Sequence, residues 1–385
     1  MNDTVRQFRD FFVSLRLTVV LLALSMILVF AATLDQVNLG IWAVQEKYFH
    51  SLFVLWRIPG TAIPLPVFPG GYLIGGFLLV NLISAHVYRF KLTWRKSGIF
   101  LTHAGLILLL IGELLTGLWQ EEFQLRLKEG ETKSYAESYR YNELAIINTT
   151  DPKFDDVVAI PDQLLADQTP IQHPHLPFRV MTKEYYPNAD LRMRASTGDN
   201  PSLATAGLGP QITVTPLPLT YKQDERNWPA AFVELVGPEG SLGTWLVSPQ
   251  LPAPQAFEYG GHSWRIGMRA QRAYKPFSLQ LEKFSHDVYV GTDIPKNFSS
   301  RLHLQTADGR DDREVLIYMN NPLRYAGLTF YQASYDGEHT TILQVVRNPS
   351  WRLPYISCAM VALGLIVQFG IHLIGFIGKR RAATA

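Results

Sequence analysis

Four long apolar stretches interrupt otherwise polar sequence, at residues 17–34, 71–88, 98–119 and 353–377. Each approaches or exceeds the roughly 18–20 residues that a helix needs to cross the hydrocarbon core, so the pattern predicts four membrane spans. The first carries no charge between Arg16 and Asp35, and the third holds one carboxylate, Glu113, near its far end. Ala31 and Ala32 are small enough for a signal peptidase. The stretch is longer than a typical signal-peptide core, however, and a retained anchor is expected.

Between the third and fourth stretches the pattern changes to short apolar runs separated by turn signals. Strands are expected at Phe123–Leu127, Glu143–Asn148, Gln211–Thr215, Ala230–Leu235, Phe277–Phe284, Arg301–Gln305 and Thr341–Val346. Glu129-Gly130-Glu131, Tyr259-Gly260-Gly261 and Asp308-Gly309 supply turns. The fold expected is therefore a membrane protein: an α-helical four-span bundle plus a large, mainly antiparallel β domain arranged as a sandwich or a pair of packed sheets. The division expected is 1–119 (three spans), 120–350 (β-rich domain) and 351–385 (fourth span and basic tail). Asn188–Pro210 is expected to be an excursion loop. Ile41–Trp56, rich in aromatics, suits a helix lying in the membrane interface or packed on the bundle; Ile63–Pro69, with its prolines, would break helix and turn the chain into the second span.

Charge then fixes an orientation. Arg6, Arg9 and Arg16 precede the first span, Arg89, Lys91, Arg95 and Lys96 fill the connection between the second and third, and Lys379, Arg380 and Arg381 follow the fourth. With an even number of spans these clusters fall on one side, which the positive-inside rule makes cytoplasmic. Both termini are then cytoplasmic and the β domain extracytoplasmic, in a plasma (inner) or thylakoid-type membrane. The overall net charge of +2 gives nucleic-acid binding no support.

Candidate chemistry is sparse. Cys358 is the single cysteine and lies within the last span, so a disulfide, a CxxC redox pair and a CxxCH attachment site are all excluded; it is expected to act as a small lipid- or helix-facing residue. No GxSxG elbow, HExxH, P-loop or dinucleotide fingerprint occurs, so no catalytic residue is nominated, and neither flavin, nicotinamide nor a free metal is indicated. In the β domain His173, His175, His262, His286, His303 and His339 are scattered, with His173-Pro174-His175 the only close pair. Histidines inside spans are a different matter. His103 lies seven residues after Lys96, about 10 Å along a helix; His372 lies at a similar depth before Lys379, and His86 sits near Arg89. A neutral imidazole at such a depth suits haem iron, although it also serves as a hydrogen-bonding group between helices. Ala104 and Gly105, with Gly75, Gly76 and Ala85, are small enough to let a flat macrocycle approach.

Four pieces of the chain resemble the ResB/CcsB family of cytochrome c biogenesis proteins. They are Phe11–Leu22 with Ala32–Gln36, Pro69–Gly76 with Asn81–Phe90, Gly98–Gly112, and Tyr318–Tyr335 just before the last span. The resemblance implies a haem-handling and scaffolding subunit that works with a CcsA-type partner to export haem b and present it to apocytochromes c. Such a subunit is non-catalytic or co-catalytic within a cytochrome c synthase. His103 would be the axial ligand to haem iron, with His372 and His86 as further candidates, and the second ligand is expected from the partner chain. A thiol-reducing thioredoxin-like protein is a further partner, since this chain lacks the cysteines for that task. The eight tryptophans are dispersed, so the tryptophan-rich haem motif of the CcsA partner is missing. The alternative is a non-enzymatic membrane accessory subunit or receptor whose β domain binds a protein or ligand.

Overall fold

A computed structural model describes residues 3–57, 64–194, 201–220, 226–292 and 295–384. It divides into two compact units, one built mainly from Met1–Glu121 with Arg347–Ala385, the other from Glu122–Thr220 with Asp224–Val346.

The first unit begins with α1 (Asp3–Phe12) and α2 (Leu15–Val44). Ser14 caps α2, its Oγ accepting from the backbone N–H of Arg16 at 3.2 Å. The helix runs on past residue 34, kinks at Gly40 (φ 71°, ψ 167°), a conformation that favours glycine, and ends in a π-helical turn, Gln45–Phe49. Strands β1 (Phe53–Arg57) and β2 (Pro64–Pro69) then form an antiparallel hairpin. The single helix expected over Ile41–Trp56 is thus corrected: the stretch is helical only to Phe49. The aromatic and branched residues of β1 pair with a proline-rich partner, and prolines are tolerated where no ladder partner lies beyond. Residues 58–63, including Ile63 of the expected helix-breaking segment, lie outside the described residues.

Next come α3 (Gly71–Tyr88) and α4 (Ser97–Trp119), and later α5 (Asp162–Ala166), a short turn of the second unit, and α6 (Leu353–Thr384). Four helical stretches, Leu15–Phe49, Gly71–Tyr88, Trp94–Trp119 and Leu353–Arg381, are long and apolar enough to cross a membrane. Small residues join α4 to α6. Gly98, Gly105 and Gly112 recur every seventh residue and are all buried. A Cβ on Gly98 would lie 2.5 Å from the Gly364 carbonyl oxygen, and one on Gly105 would lie 2.8 Å from Val361 Cγ2 and 2.9 Å from the Ser357 carbonyl oxygen. Close backbone approach of this kind is how helices associate when lipid removes the hydrophobic drive. Gly105 therefore faces a helix and not a macrocycle, which corrects the expectation for it. Gly75 and Gly76 do face open space, with nothing within 4 Å of an added Cβ.

A buried polar group fixes α3 to the chain's start. Asn81 Nδ2 donates to the carbonyls of Phe12 (2.7 Å) and Ser14 (3.2 Å), and its Oδ1 accepts from Thr18 Oγ1 at 2.6 Å. Beside it, Leu21, Leu28, Val54 and Ile74 form a small apolar core.

The second unit is antiparallel β throughout its named strands. Along the chain these are β3 (Glu121–Lys128), β4 (Thr132–Asn148), β5 (Asp156–Pro161), β6 (Arg179–Tyr186), β7 (Ala189–Met193), β8 (Ile212–Pro216), β9 (Ala230–Gly237), β10 (Gly240–Val247), β11 (Gln255–Tyr259), β12 (His262–Val288), β13 (Pro295–Thr306), β14 (Asp312–Tyr318), β15 (Leu323–Tyr325), β16 (Leu328–Tyr335) and β17 (Thr340–Arg347). All seven expected strands fall within these, with Gln211 in the turn before β8. A ten-stranded sheet runs β14-β13-β12-β4-β3-β17-β16-β15, with β11 against β12 and β5 against β4; β10-β9-β6 and β7-β8 form smaller sheets. The expected excursion loop is partly strand, since β7 occupies its start; residues 195–200 of it lie outside the described residues.

Besides a smaller cluster around Ala230, Phe232 and Leu246, two large apolar cores form among the described residues. One holds Leu144, Ile146, Leu235, Trp245, Trp264 and Ile266; the other holds Leu127, Phe277, Leu279, Leu302, Phe330 and Leu343. The 27-residue strand β12 serves both. Tyr274 pairs with Tyr135, but the next pair is Leu279 with Lys133. An odd number of extra residues is therefore extruded around Pro276, which has no N–H to give a ladder. The buried positions switch from 264, 266 and 268 to 277, 279 and 281, so the bulge turns the side chains of one strand from the first core to the second.

Candidate functional site

Within the helical unit, α3 and α4 bring two histidines into contact. The ring centroids of His86 and His103 are 4.9 Å apart with the planes tilted by 58°. Each ring is tethered to its own helix: His86 Nδ1 lies 3.0 Å from the Leu82 carbonyl oxygen and His103 Nδ1 lies 2.9 Å from that of Ile99. A carbonyl only accepts, so both Nδ1 atoms carry a proton in these contacts. His86 Nε2 is buried and has no hydrogen-bond partner among the described residues. A ring N–H held by a backbone carbonyl, with the other nitrogen turned to a pocket, is the arrangement that orients histidine towards a metal.

That pocket, about 700 Å³, is walled by Leu22, Leu78, Leu82, Leu106, Leu109 and Leu110 along with both histidines. Its size falls in the range of small-molecule and cofactor sites, as does a mostly apolar wall with few polar groups. Phe90 stacks on His86 at 5.2 Å, and Phe100 closes on both rings. The lining suits haem: two imidazoles in contact and a mostly apolar wall. It does not resemble a free-metal centre, since no group of three His, Cys, Asp or Glu ligands assembles among the described residues.

The other nominated residues lie elsewhere. His372 is on an exposed face of α6, where its Nε2 accepts from Gln368 Nε2 at 2.9 Å; Gln368 also takes the Ile99 N–H on its Oε1 (3.2 Å), linking α6 to the start of α4. Glu113 is exposed, as is Cys358. His173 and His175 touch edge to face at 5.4 Å, with Asp156 at 4.0 Å from His175. His286 sits in an aromatic stack with Phe284, Phe298 and Tyr335. Sequence reading passed over His50. It stacks on Tyr72 at 5.6 Å, with its Nδ1 3.0 Å from Glu46. The Glu46–His50 spacing of one helical turn was the available signal.

The β unit carries buried charge. Glu143 and Arg269 form a buried pair at 2.9 Å, and the Arg272 N–H adds a contact to Glu143 at 3.4 Å. Asp162, buried, accepts from Tyr185 Oη at 3.3 Å and Asn142 Nδ2 at 3.4 Å; burial pushes its carboxyl above the usual carboxylate range and the Tyr185 phenol higher still. Arg226, whose guanidinium lies 4.9 Å over Trp228 and donates to Asn142 at 3.0 Å, is lowered by burial. Most of these polar atoms are paired with neighbours, whereas Arg226 Nε and Arg269 Nη2 are buried without a hydrogen-bond partner among the described residues.

Comparison with known proteins agrees with the sequence motifs. The ResB-like family matches residues 250–342, across β12 and the strands that follow it. Protein NrfI of Wolinella succinogenes is 26% identical over 294 residues, which is 76% of this chain and 29% of that protein. Cytochrome c biogenesis protein CcsB of Picosynechococcus sp. is 27% identical over 115 residues, 30% of this chain and 24% of the relative. The corresponding CcsB of Crocosphaera subtropica is 28% identical over 115 residues, 30% and 25%. The chain thus spans less than a third of the length of the curated relatives it matches. Residues 250–342 thus match the ResB-like family, and the chain is similar over part of its length to NrfI and to cytochrome c biogenesis proteins CcsB.

Proposed function

We propose that this chain is a haem-handling and scaffolding subunit of a cytochrome c synthase, which with a CcsA-type partner moves haem b across the membrane and presents it to apocytochromes c. The observation that supports this reading is the His86–His103 pair, with both Nδ1 atoms tied to carbonyls and both residues lining one apolar pocket. Haem is cargo here. His103 supplies one axial ligand. Rings in contact leave no gap for a macrocycle between them, so His86 stands on the same face and the second ligand comes from the partner chain. Apolar walls exclude water and favour the reduced iron needed for addition to cysteine thiols. The basic clusters put this site on the cytoplasmic side and the β unit outside, where it would dock the partner or the apocytochrome; a thioredoxin-like protein would keep the client's thiols reduced.

The test is a visible absorption spectrum of detergent-purified protein co-expressed with its partner. A reduced b-type spectrum is expected in wild type and in His372→Ala, and its loss in His103→Ala. Preparations devoid of haem, together with normal maturation of c-type cytochromes in a strain lacking the chain, would overturn the reading.

A further inference from the structure

The apolar pocket does not end in apolar residues. Val13, Leu15 and Arg89 line it and also line a second, polar pocket of about 690 Å³, bounded by Arg9, Ser14, Arg16 and Tyr88. A basic pocket thus adjoins the apolar, imidazole-bearing one across these three shared residues. Arg89 lies one helical turn, about 4.5 Å along α3, from His86. One N–H of its guanidinium donates to the Val13 carbonyl at 3.1 Å, which fixes the group in place and leaves the rest of its five-donor fork. Arg16 stands at the start of α2, where the helix N-terminus adds its own partial positive charge. The one carboxylate here, Asp10, is held by Arg9 at 2.7 Å. Among the described residues neither Arg16 nor Arg89 has a carboxylate within ion-pair distance.

We propose that Arg16 and Arg89 form an anion-binding rim that receives the carboxylates of the porphyrin whose ring lies against His86 and His103. This rests on the haem reading above and adds to it a direction: the carboxylate edge points to the basic end of the bundle. Two guanidiniums at the mouth of a low-dielectric pocket bind carboxylate by charge-assisted hydrogen bonds. Neutral macrocycles, or those with esterified side chains, lose those bonds and keep only the apolar contact.

The experiment compares ferric protoporphyrin IX with its dimethyl ester, titrated into the purified full chain in non-ionic detergent and followed by the Soret band. Wild type is expected to bind the diacid about tenfold more tightly than the diester, the worth of one charge-assisted hydrogen bond. Arg16→Gln and Arg89→Gln are expected to lower diacid affinity several-fold and leave the diester unchanged. Arg89 also holds Val13, so Arg16→Gln and the wild-type ligand comparison stand even where Arg89→Gln misfolds. Equal affinity for diacid and diester in wild type overturns the proposal while the haem reading survives. So does a rim that loses only binding of phosphatidylglycerol nanodiscs in Arg16→Gln, which would make it a lipid-headgroup site. Binding of neither porphyrin, by the chain alone or co-purified with its partner, overturns both.

Discussion

The imidazoles of His86 and His103 stand 4.9 Å apart although they arise from separate helices, and each is held by a carbonyl one turn back along its own helix. The contact depends on α3 and α4 being neighbours. It makes the pair a single unit, because moving either helix separates the rings and opens the pocket they share with Asn81.

Asn81 is the buried polar group that locks the start of the chain against α3. Asn81→Leu removes three hydrogen bonds within a span, and membrane hydrogen bonds average under about 1 kcal/mol each. A loss of about 1–2 kcal/mol is expected, seen as faster proteolysis near residues 9–14 and a lower unfolding temperature in detergent. An unchanged protease pattern would show that α1 docks by other means.

The glycine seam gives a sharp contrast within one protein. Gly98→Ala and Gly105→Ala drive a methyl into backbone or a branched side chain of α6. Overpacking of this kind costs about 1–3 kcal/mol. Gly75→Ala and Gly76→Ala meet nothing within 4 Å and are expected to be neutral. Thermal unfolding of the four single variants side by side checks both halves of the statement.

In the β unit, Arg269→Ala strands the Glu143 carboxylate in the interior, and leaving one member of a buried pair alone costs about 3–5 kcal/mol. Glu143→Gln combined with Arg269→Met is expected to recover most of that. Urea unfolding followed by tryptophan fluorescence reads the difference, since Trp245 and Trp264 sit in the adjoining core.

Acid sensitivity should centre on the turn after β3. The Glu129 carboxyl is held below its ordinary range, chiefly by the N–H of Phe284 at 2.9 Å, with His339 at 2.9 Å adding to it against an upward push from burial. A carboxylate with a lowered folded-state pKa contributes stability above its unfolded value, and that contribution disappears as pH falls through the folded one. Glu129→Gln is therefore expected to be less stable than wild type at neutral pH and equal to it at strongly acidic pH. Parallel stability curves for the two proteins across that range would refute the role given to Glu129.

Features that depend on local periodicity were legible along the chain. Long apolar runs set the four helices, alternation set the strands around Phe277 and Thr341, and a single cysteine left no CxxC pair and no intramolecular disulfide. A histidine within an apolar run was enough to nominate His103. Only the tertiary structure decided what depends on which elements become neighbours. Gly105 looked like room for a ligand and is instead the contact point for α6, because a missing side chain is equally useful to a helix and to a macrocycle. His86 gained its place beside His103 from the packing of α3 on α4, and Arg16 and Arg89 meet at one rim only because Val13 and Asn81 tie α1, α2 and α3 together. In β12 the alternation itself changes phase at Pro276, and the partner strand β4 sets how many residues are extruded there. Periodicity is a property of a few successive residues, whereas convergence of side chains is set by helix and strand pairings far apart in the chain.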